Sequence, residues 1–302
     1  MTPAIFHRCG LLLLVFCMAA CTTVSVPPVP PVVVAPIAQS LRPAPKIALV
    51  LGGGAARGFA HIGVIKALEA QGIQPDIIVG TSAGAVVGAL YAAGNNGFEL
   101  QKIALQMQEN EVSDWSLPDR GVFKGEALQS FVNRAVNNRP LEKLSRQFAA
   151  VATDLHSGAM IVFRTGNTGM AVRASSSVPG VFQPVSINGR EYVDGGLTSP
   201  VPVRVARSMG ADFVIAVDIS AQPQYGRTES SIEVWLQAFA IMQQSISRNE
   251  LGEANVVVRP SLPDVKRTDF QDRNIAILAG EQALAAVLPE LKSKLTVLRD
   301  RP

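Results

Sequence analysis

Ser82 stands in Gly80-Thr81-Ser82-Ala83-Gly84, between the apolar run Asp76-Ile77-Ile78-Val79 and an Ala/Val/Leu-rich stretch with helical character. A G-x-S-x-G pentapeptide in that setting predicts a serine held on a sharp strand-to-helix turn. Its hydroxyl is exposed, and the flanking glycines leave room where side chains would clash. Such a serine is a nucleophile, so the chemistry would be covalent acyl transfer. That chemistry also needs donors for the charge that develops on the attacked carbonyl. Gly52-Gly53-Gly54-Ala55-Ala56-Arg57-Gly58 offers them, lying between the strand-like Lys46–Leu51 and the helical run Phe59–Gln71. Glycines at such a junction free backbone N–H groups to point at an anion, and the helix dipole adds to the attraction. Beside Ser82, the turn would form an oxyanion hole from Gly52, Gly53, Gly54 and Ala55. Arg57 is expected to support the loop's shape.

The nucleophile also needs a base. The chain has three histidines, His7, His61 and His156. None lies late in the sequence, where a Ser…Asp…His order would want it. His61 falls on the helix after the glycine turn and reads as a packed residue; His156 follows Asp154 in a turn. A carboxylate must therefore act. Asp194, in Tyr192-Val193-Asp194-Gly195-Gly196, is the first choice because adjacent glycines let another backbone approach closely. An aspartate at its reference pKa of about 3.9 is a weak base, and partial burial in an apolar cleft would strengthen it. Asp154 and Asp218 end strand-like runs and rank below it, having no glycine next in sequence.

Other uses of the glycine turn fare less well. A P-loop needs Lys followed by Ser or Thr after its second glycine, and this chain has Gly58-Phe59. A G-x-G-x-x-G read from Gly52 ends on Arg57, so that match is broken, although Asp76 stands near the place of a ribose-binding acid. A nucleotide-binding module thus remains an alternative, as does an envelope lipoprotein without catalysis. The formal net charge is +3, and no Lys/Arg cluster is interleaved with aromatics, which argues against a nucleic-acid partner.

These residues need a scaffold. Lys46–Leu51, Ile77–Val79, Phe148–Ala152, Met160–Phe163, Phe213–Asp218 and Val256–Val258 read as strands, with helical segments between several of them. That alternation predicts an α/β sheet with helices on both faces. Ser82 and the glycine turn would sit at strand C-terminal ends, where such sheets bind ligands. Val185–Val193 reads as a hairpin around Asn188-Gly189. Asp114–Phe123, with Trp115, Leu117 and Pro118, reads as a packed connector before a lid. Ile232–Ile246 has apolar residues at near-helical spacing, read as core packing before membrane or acyl contact.

Together the motifs resemble the patatin-like phospholipase family. The glycine turn with Ala60-His61-Ile62-Gly63-Val64, the Ser82 pentapeptide, Ala174-Ser175-Ser176-Ser177-Val178-Pro179-Gly180 and Asp194-Gly195-Gly196 occur in the family's order. The resemblance covers about Lys46 to Lys294. It implies a three-layer sandwich with a central, mostly parallel sheet and helices on both faces. It also implies a Ser82–Asp194 dyad without histidine, an oxyanion hole from the glycine turn, and hydrolysis of lipid acyl esters without metal or organic cofactor. One departure is visible: Ser199 precedes Pro200 where the family often has Asn.

The first twenty residues carry Arg8 as their only charge and the apolar run Leu11–Phe16, the pattern of a secretory leader. Met18-Ala19-Ala20-Cys21 resembles a bacterial lipobox, implying cleavage before Cys21 and its lipidation. All three cysteines lie at or before Cys21, so no disulfide is expected after it. Residues 21–45 are rich in Pro, Val and Ala and read as an extended tether. The expected organisation is residues 1–20 leader, 21–45 lipidated cysteine and tether, and 46–302 acyl hydrolase domain. Thr22 after the cysteine favours the outer membrane, facing the periplasm, by resemblance to Gram-negative sorting. Removing Arg8 with the leader leaves a charge of +3 − 1 = +2.

Overall fold

The computed structural model describes residues 44–108, 112, 114, 120–221, 229–262 and 272–300 of the chain. The leader, Cys21, the tether up to residue 43, and Trp115, Leu117 and Pro118 of the connector lie outside the described residues.

Residues 44–302 form one compact unit around an eight-stranded sheet. Five strands run parallel: β1 (Ile47–Leu51), β2 (Ile77–Thr81), β4 (Gln147–Asp154), β9 (Phe213–Val217) and β10 (Val256–Val258). Their sequences, such as IALVL and FVIAV, are apolar throughout because helices cover both faces. Leu49, Leu51, Ile78 and Ile215 point to one face. There they pack with α1 (Phe59–Ala70), α2 (Ala83–Ala92) and α8 (Arg273–Arg299). Ala48, Val50, Ile77, Val79, Val214 and Ala216 point to the other. They meet α6 (Val203–Ser208) through Val203, Val205 and Ala206, and α7 (Ser231–Leu251) through Leu251. The three-layer α/β sandwich expected from the sequence is the observed fold.

The other strands build the end of the sheet that matters for chemistry. β5 (Met160–Phe163) runs antiparallel to β4 along Ala150–Thr153. β2 pairs with β4 up to Val151, and β8 (Arg190–Asp194) pairs with it from Ala152. Since β5 holds one edge of β4 at these positions, β2 and β8 must share the other edge, end to end. The hairpin of β7 (Val185–Ile187) and β8 turns on Asn188 and Gly189, whose φ angles of 51° and 77° suit a type I′ turn. A further pair, β3 (Gly121–Phe123) and β6 (Gly180–Phe182), forms a small separate parallel sheet that sequence patterning does not reveal. The remaining helices are α3 (Gly97–Gln106), α4 (Glu126–Ala135) and α5 (Thr168–Ser175).

One of the two segment readings needs correcting. In the other, Asp114 stands at the start of the expected packed connector. Its carboxylate accepts the N–H groups of Gly125, Glu126 and Ala127 and so closes the N-terminus of α4. The segment Ile232–Ile246 lies in α7 and is only partly core: Phe239 and Ala240 are buried, while Val234, Trp235, Ile241 and Met242 face outward.

Candidate active site

The site is assembled where β2 and β8 abut on β4. Thr81, the last residue of β2, pairs with Val151, and Asp194, the last of β8, pairs with the next residue, Ala152. Consecutive positions along a strand are about 3.3 Å apart. Ser82 and Asp194, 112 positions apart in the chain (194 − 82), are thus brought to one junction.

Ser82 leaves the strand with φ 55° and ψ −124°, a left-handed conformation that a side-chain-bearing residue adopts only under constraint. The constraint is visible in the glycines around it. A Cβ on Gly80 would lie 2.4 Å from the Gly84 carbonyl oxygen, and one on Gly84 would lie 2.0 Å from that of Leu51. Only hydrogen at these positions lets the strand reverse into α2 so tightly. The elbow is secured by the Ser82 N–H, which donates to Ser175 Oγ at 2.9 Å; Ser175 Oγ in turn donates to Val151 O. Thr81 Oγ1 donates to Ser199 O at 2.8 Å.

Asp194 is fully buried. Its Oδ1 accepts the Gly196 N–H at 2.6 Å, and its own N–H donates to Ser177 O at 2.9 Å. Thr153 Oγ1 donates to Asp194 O at 3.0 Å. Ser175 and Ser177 therefore hold the backbones of Ser82 and Asp194 respectively. The run Ser175-Ser176-Ser177 is plain in the sequence, but its role there is not. Its signal is three hydroxyls beside a helix end, interpretable only once the partners are known. Ser199, the departure from the family pattern, also has a role: it takes the Thr81 hydroxyl on its carbonyl, and its own hydroxyl donates to Glu250 Oε2 at 2.6 Å. Burial raises the Glu250 carboxyl above its usual value, and the Ser199 hydrogen bond opposes the rise.

The glycine turn lies against the elbow. A Cβ on Gly53 would sit 3.3 Å from Ser82 Cβ. The four expected donors divide into two pairs. The Gly52 N–H donates to Val217 O and the Gly53 N–H to Pro200 O, both at 3.0 Å, so these two fix the turn's course. Gly54 and Ala55 (φ 53°) follow them at the start of the 3₁₀ turn Ala55–Gly58. Buried Arg57 donates through Nε to Ile219 O at 2.9 Å, the supporting position expected for it.

The other candidates are placed elsewhere. His61 is wholly buried in α1, with Nε2 2.8 Å from Gly52 O; desolvation lowers its pKa to about 4, so the ring is neutral and donates to that carbonyl. It props the glycine turn from beneath. His156 is exposed and pairs with Glu191 at 3.2 Å, beside Arg120. Asp154 Oδ1 accepts the N–H groups of His156 and Ser157, which holds its carboxyl below the ordinary range. Asp218 accepts the Ser220 N–H and lies 3.5 Å from Arg259. Asp76 precedes β2, at the opposite end of the sheet from the glycine turn, and accepts the Ile47 N–H. It is not positioned to meet a ribose there, which removes the support for a nucleotide site.

The model of the family described as patatin-like phospholipase matches residues 49–207, which include the glycine turn, the Ser82 elbow and Asp194. The chain belongs to the patatin-like phospholipase family. An uncharacterized NTE family protein of Mycobacterium tuberculosis is 38% identical over 190 residues, covering 62% of this chain and 53% of that protein. Patatin-like phospholipase domain-containing protein 6 of Homo sapiens is 37% identical over 186 residues, 59% of this chain and 14% of that one. The chain thus spans about half the length of the mycobacterial relative, at 53%. Among solved structures, VipD from Legionella pneumophila has a similar fold, with a TM-score of 0.52 at 14% identity over 82% of this chain and 67% of that one.

Proposed function

We propose that the chain is a serine acyl hydrolase that cleaves ester bonds of lipids through Ser82 and Asp194. The observation that carries the reading is the end-to-end junction of β2 and β8, with a strained serine at one strand end and a buried aspartate at the other. Asp194 takes the Ser82 hydroxyl proton as Oγ attacks the ester carbonyl. The N–H groups of Gly54 and Ala55 are the donors for the resulting oxyanion, since those of Gly52 and Gly53 are engaged. The tetrahedral intermediate expels the alcohol, which leaves with the proton from Asp194. Water, deprotonated by the same carboxylate, then cleaves the acyl-enzyme and restores Ser82. Family membership supports a lipid as the source of the ester. The leader, lipidation at Cys21 and placement at the periplasmic face of the outer membrane belong to the same proposal.

The test is turnover of a short-chain nitrophenyl ester. Ser82→Ala and Asp194→Asn should each lower kcat/KM by about a thousandfold or more, with thermal unfolding within a few degrees of the parent. Near-normal turnover by either variant contradicts the assignment. Metabolic labelling with palmitate tests the anchor: label lost in Cys21→Ala supports it, and label retained refutes it.

A further inference from the structure

Helix α7 is inverted for a helix at a water-facing surface. Between Glu233 and Arg248 it carries no charged residue. Its outward side shows Val234 at 53% exposure, Trp235 at 36%, Ile241 at 51% and Met242 at 40%, whereas Gln243, Ser247 and Glu250 are turned inward at 6%, 2% and 5%. A surface helix normally does the reverse, since burying polar groups costs free energy and exposing large apolar ones forgoes it. The inward side has a local explanation. Glu250 accepts the Ser199 hydroxyl, and Gln243 lies against Gly196, its Nε2 only 2.0 Å from where a Cβ would stand. Gly196 donates to Asp194. Gln243 and Glu250 are thus drawn inward by the Asp194–Ser199 loop, beside the buried Phe239 and Ala240, while Val234, Trp235, Ile241 and Met242 are left outside.

We propose that the outward face of α7 docks on a lipid surface, with Val234, Trp235, Ile241 and Met242 among acyl chains and Arg248 at the headgroups. The proposal rests on the lipid-hydrolase reading for its substrate. Three observations select a membrane as the occupant. Trp235 donates its indole N–H to Pro179 O at 2.9 Å, so the ring's polar edge is satisfied and its apolar body is offered outward, as suits a bilayer interface. Pro179 follows the Ser175–Ser177 segment that holds Ser82 and Asp194, so the stripe borders the site where an ester must arrive. At its other end the stripe runs into exposed Arg248, with Arg259 across a cavity of about 400 Å³ that Asp218 and Gln244 also line. Arg259 is paired with Asp218 at 3.5 Å, while Arg248 bonds the neutral Gln244, so Arg248 supplies a net positive charge complementary to anionic headgroups. The uncharged stretch is roughly 20 Å long at 1.5 Å per residue, short of the roughly 30 Å hydrocarbon core. No helix among the described residues is long and apolar enough to cross a membrane, so α7 would lie in the interface plane.

Residues 44–302 form one compact unit with its own core, and using that unit removes any contribution from the leader or Cys21. The experiment is co-sedimentation with vesicles of phosphatidylethanolamine and phosphatidylglycerol, with hydrolysis of a soluble butyrate ester measured in parallel. The parent should bind, and the double variant Ile241→Glu, Met242→Glu should bind at least tenfold more weakly, with soluble-ester turnover within twofold. Arg248→Ala should lose severalfold on anionic vesicles and nothing on zwitterionic ones. Equal binding by parent and double variant, or no binding by the parent, overturns the proposal. A dimer in light scattering that the double variant dissociates also overturns it, because the face then belongs to a second copy. Vesicle binding without soluble-ester turnover would leave the docking face standing and refute the hydrolase reading instead.

Discussion

Helices α8 and α7 are the two longest described, and they solve the same problem in opposite ways. Along α8 the buried positions are Ala276, Ile277, Ala279, Gly280, Leu284, Leu291 and Leu295, an apolar stripe against α1. The two helices cross so closely that a Cβ on Gly63 would lie 1.9 Å from Ile277 O and one on Gly280 2.0 Å from Ala60 O. Exposed Ile275, Leu278 and Val297 are scattered among charged residues, including Glu281 bonded to Lys66 and Glu290 bonded to Lys294. On α7 the stretch between Glu233 and Arg248 carries no charge, and Gln243, Ser247 and Glu250 face inward beside Phe239 and Ala240. The contrast separates a helix that follows the amphipathic rule from one that departs from it where the Asp194–Ser199 loop takes polar neighbours.

The largest effect should come from breaking the α1–α8 crossing. Gly280→Val places a branched side chain where a backbone carbonyl already stands, and should destabilise by about 3 kcal/mol or more. Thermal unfolding would register this as a fall of more than ten degrees or as failure to fold; a variant melting within two degrees of the parent would mean the crossing is not tight.

A second effect of similar order lies in the acid response of α1. His61 in the folded chain titrates at about 4, below its ordinary 6.5, so between those values the unfolded chain binds more protons. Stability is therefore full above about pH 6.5 and falls as the pH drops towards 4, by up to about 3 kcal/mol from this group. Urea midpoints across that range should slope downward towards acid, and His61→Gln should flatten the slope. An unchanged slope would remove His61 as its source.

Glu250 on α7 should show the opposite sign. Its folded carboxyl keeps its proton to a higher pH than the unfolded one. It therefore favours folding at low pH and loses that contribution as the pH rises through its raised value. Glu250→Gln keeps an acceptor for Ser199 and should be neutral or slightly stabilising at pH 7. Glu250→Leu strands the Ser199 hydroxyl, and should cost about 1–2 kcal/mol. Equal effects of the two would contradict a role through that hydrogen bond. Smallest of all, Ile241→Ser should leave stability within about 0.5 kcal/mol, since nothing of the core is lost.

Much of this arrangement was legible in the sequence, for local reasons. Mostly apolar runs of three to six residues marked the strands, Asn188-Gly189 marked the hairpin, and Gly80–Gly84 marked the elbow. Met160–Phe163 and Val256–Val258 coincide with the observed strands, while β2 and β4 extend beyond their expected ends. What escaped depends on pairings between distant segments. Nothing local says that β2 and β8 divide one edge of β4, or that Ser175 and Ser177 hold the backbones of Ser82 and Asp194. Nor can periodicity say which side of α7 faces in, because apolar residues stand on both sides: Val234, Trp235, Ile241 and Met242 outward, Phe239 and Ala240 inward. Of the four oxyanion candidates, composition could not distinguish the pair whose N–H groups are committed to Val217 and Pro200.

The central claim is that Ser82 is activated by Asp194 across the β2–β8 junction. Labelling with a fluorophosphonate, with the modified peptide located by mass spectrometry, tests it most directly. The account predicts one adduct, on Ser82, forming at least a hundredfold more slowly in Asp194→Asn. An adduct on a different serine, or labelling of Asp194→Asn at the parent's rate, would contradict it.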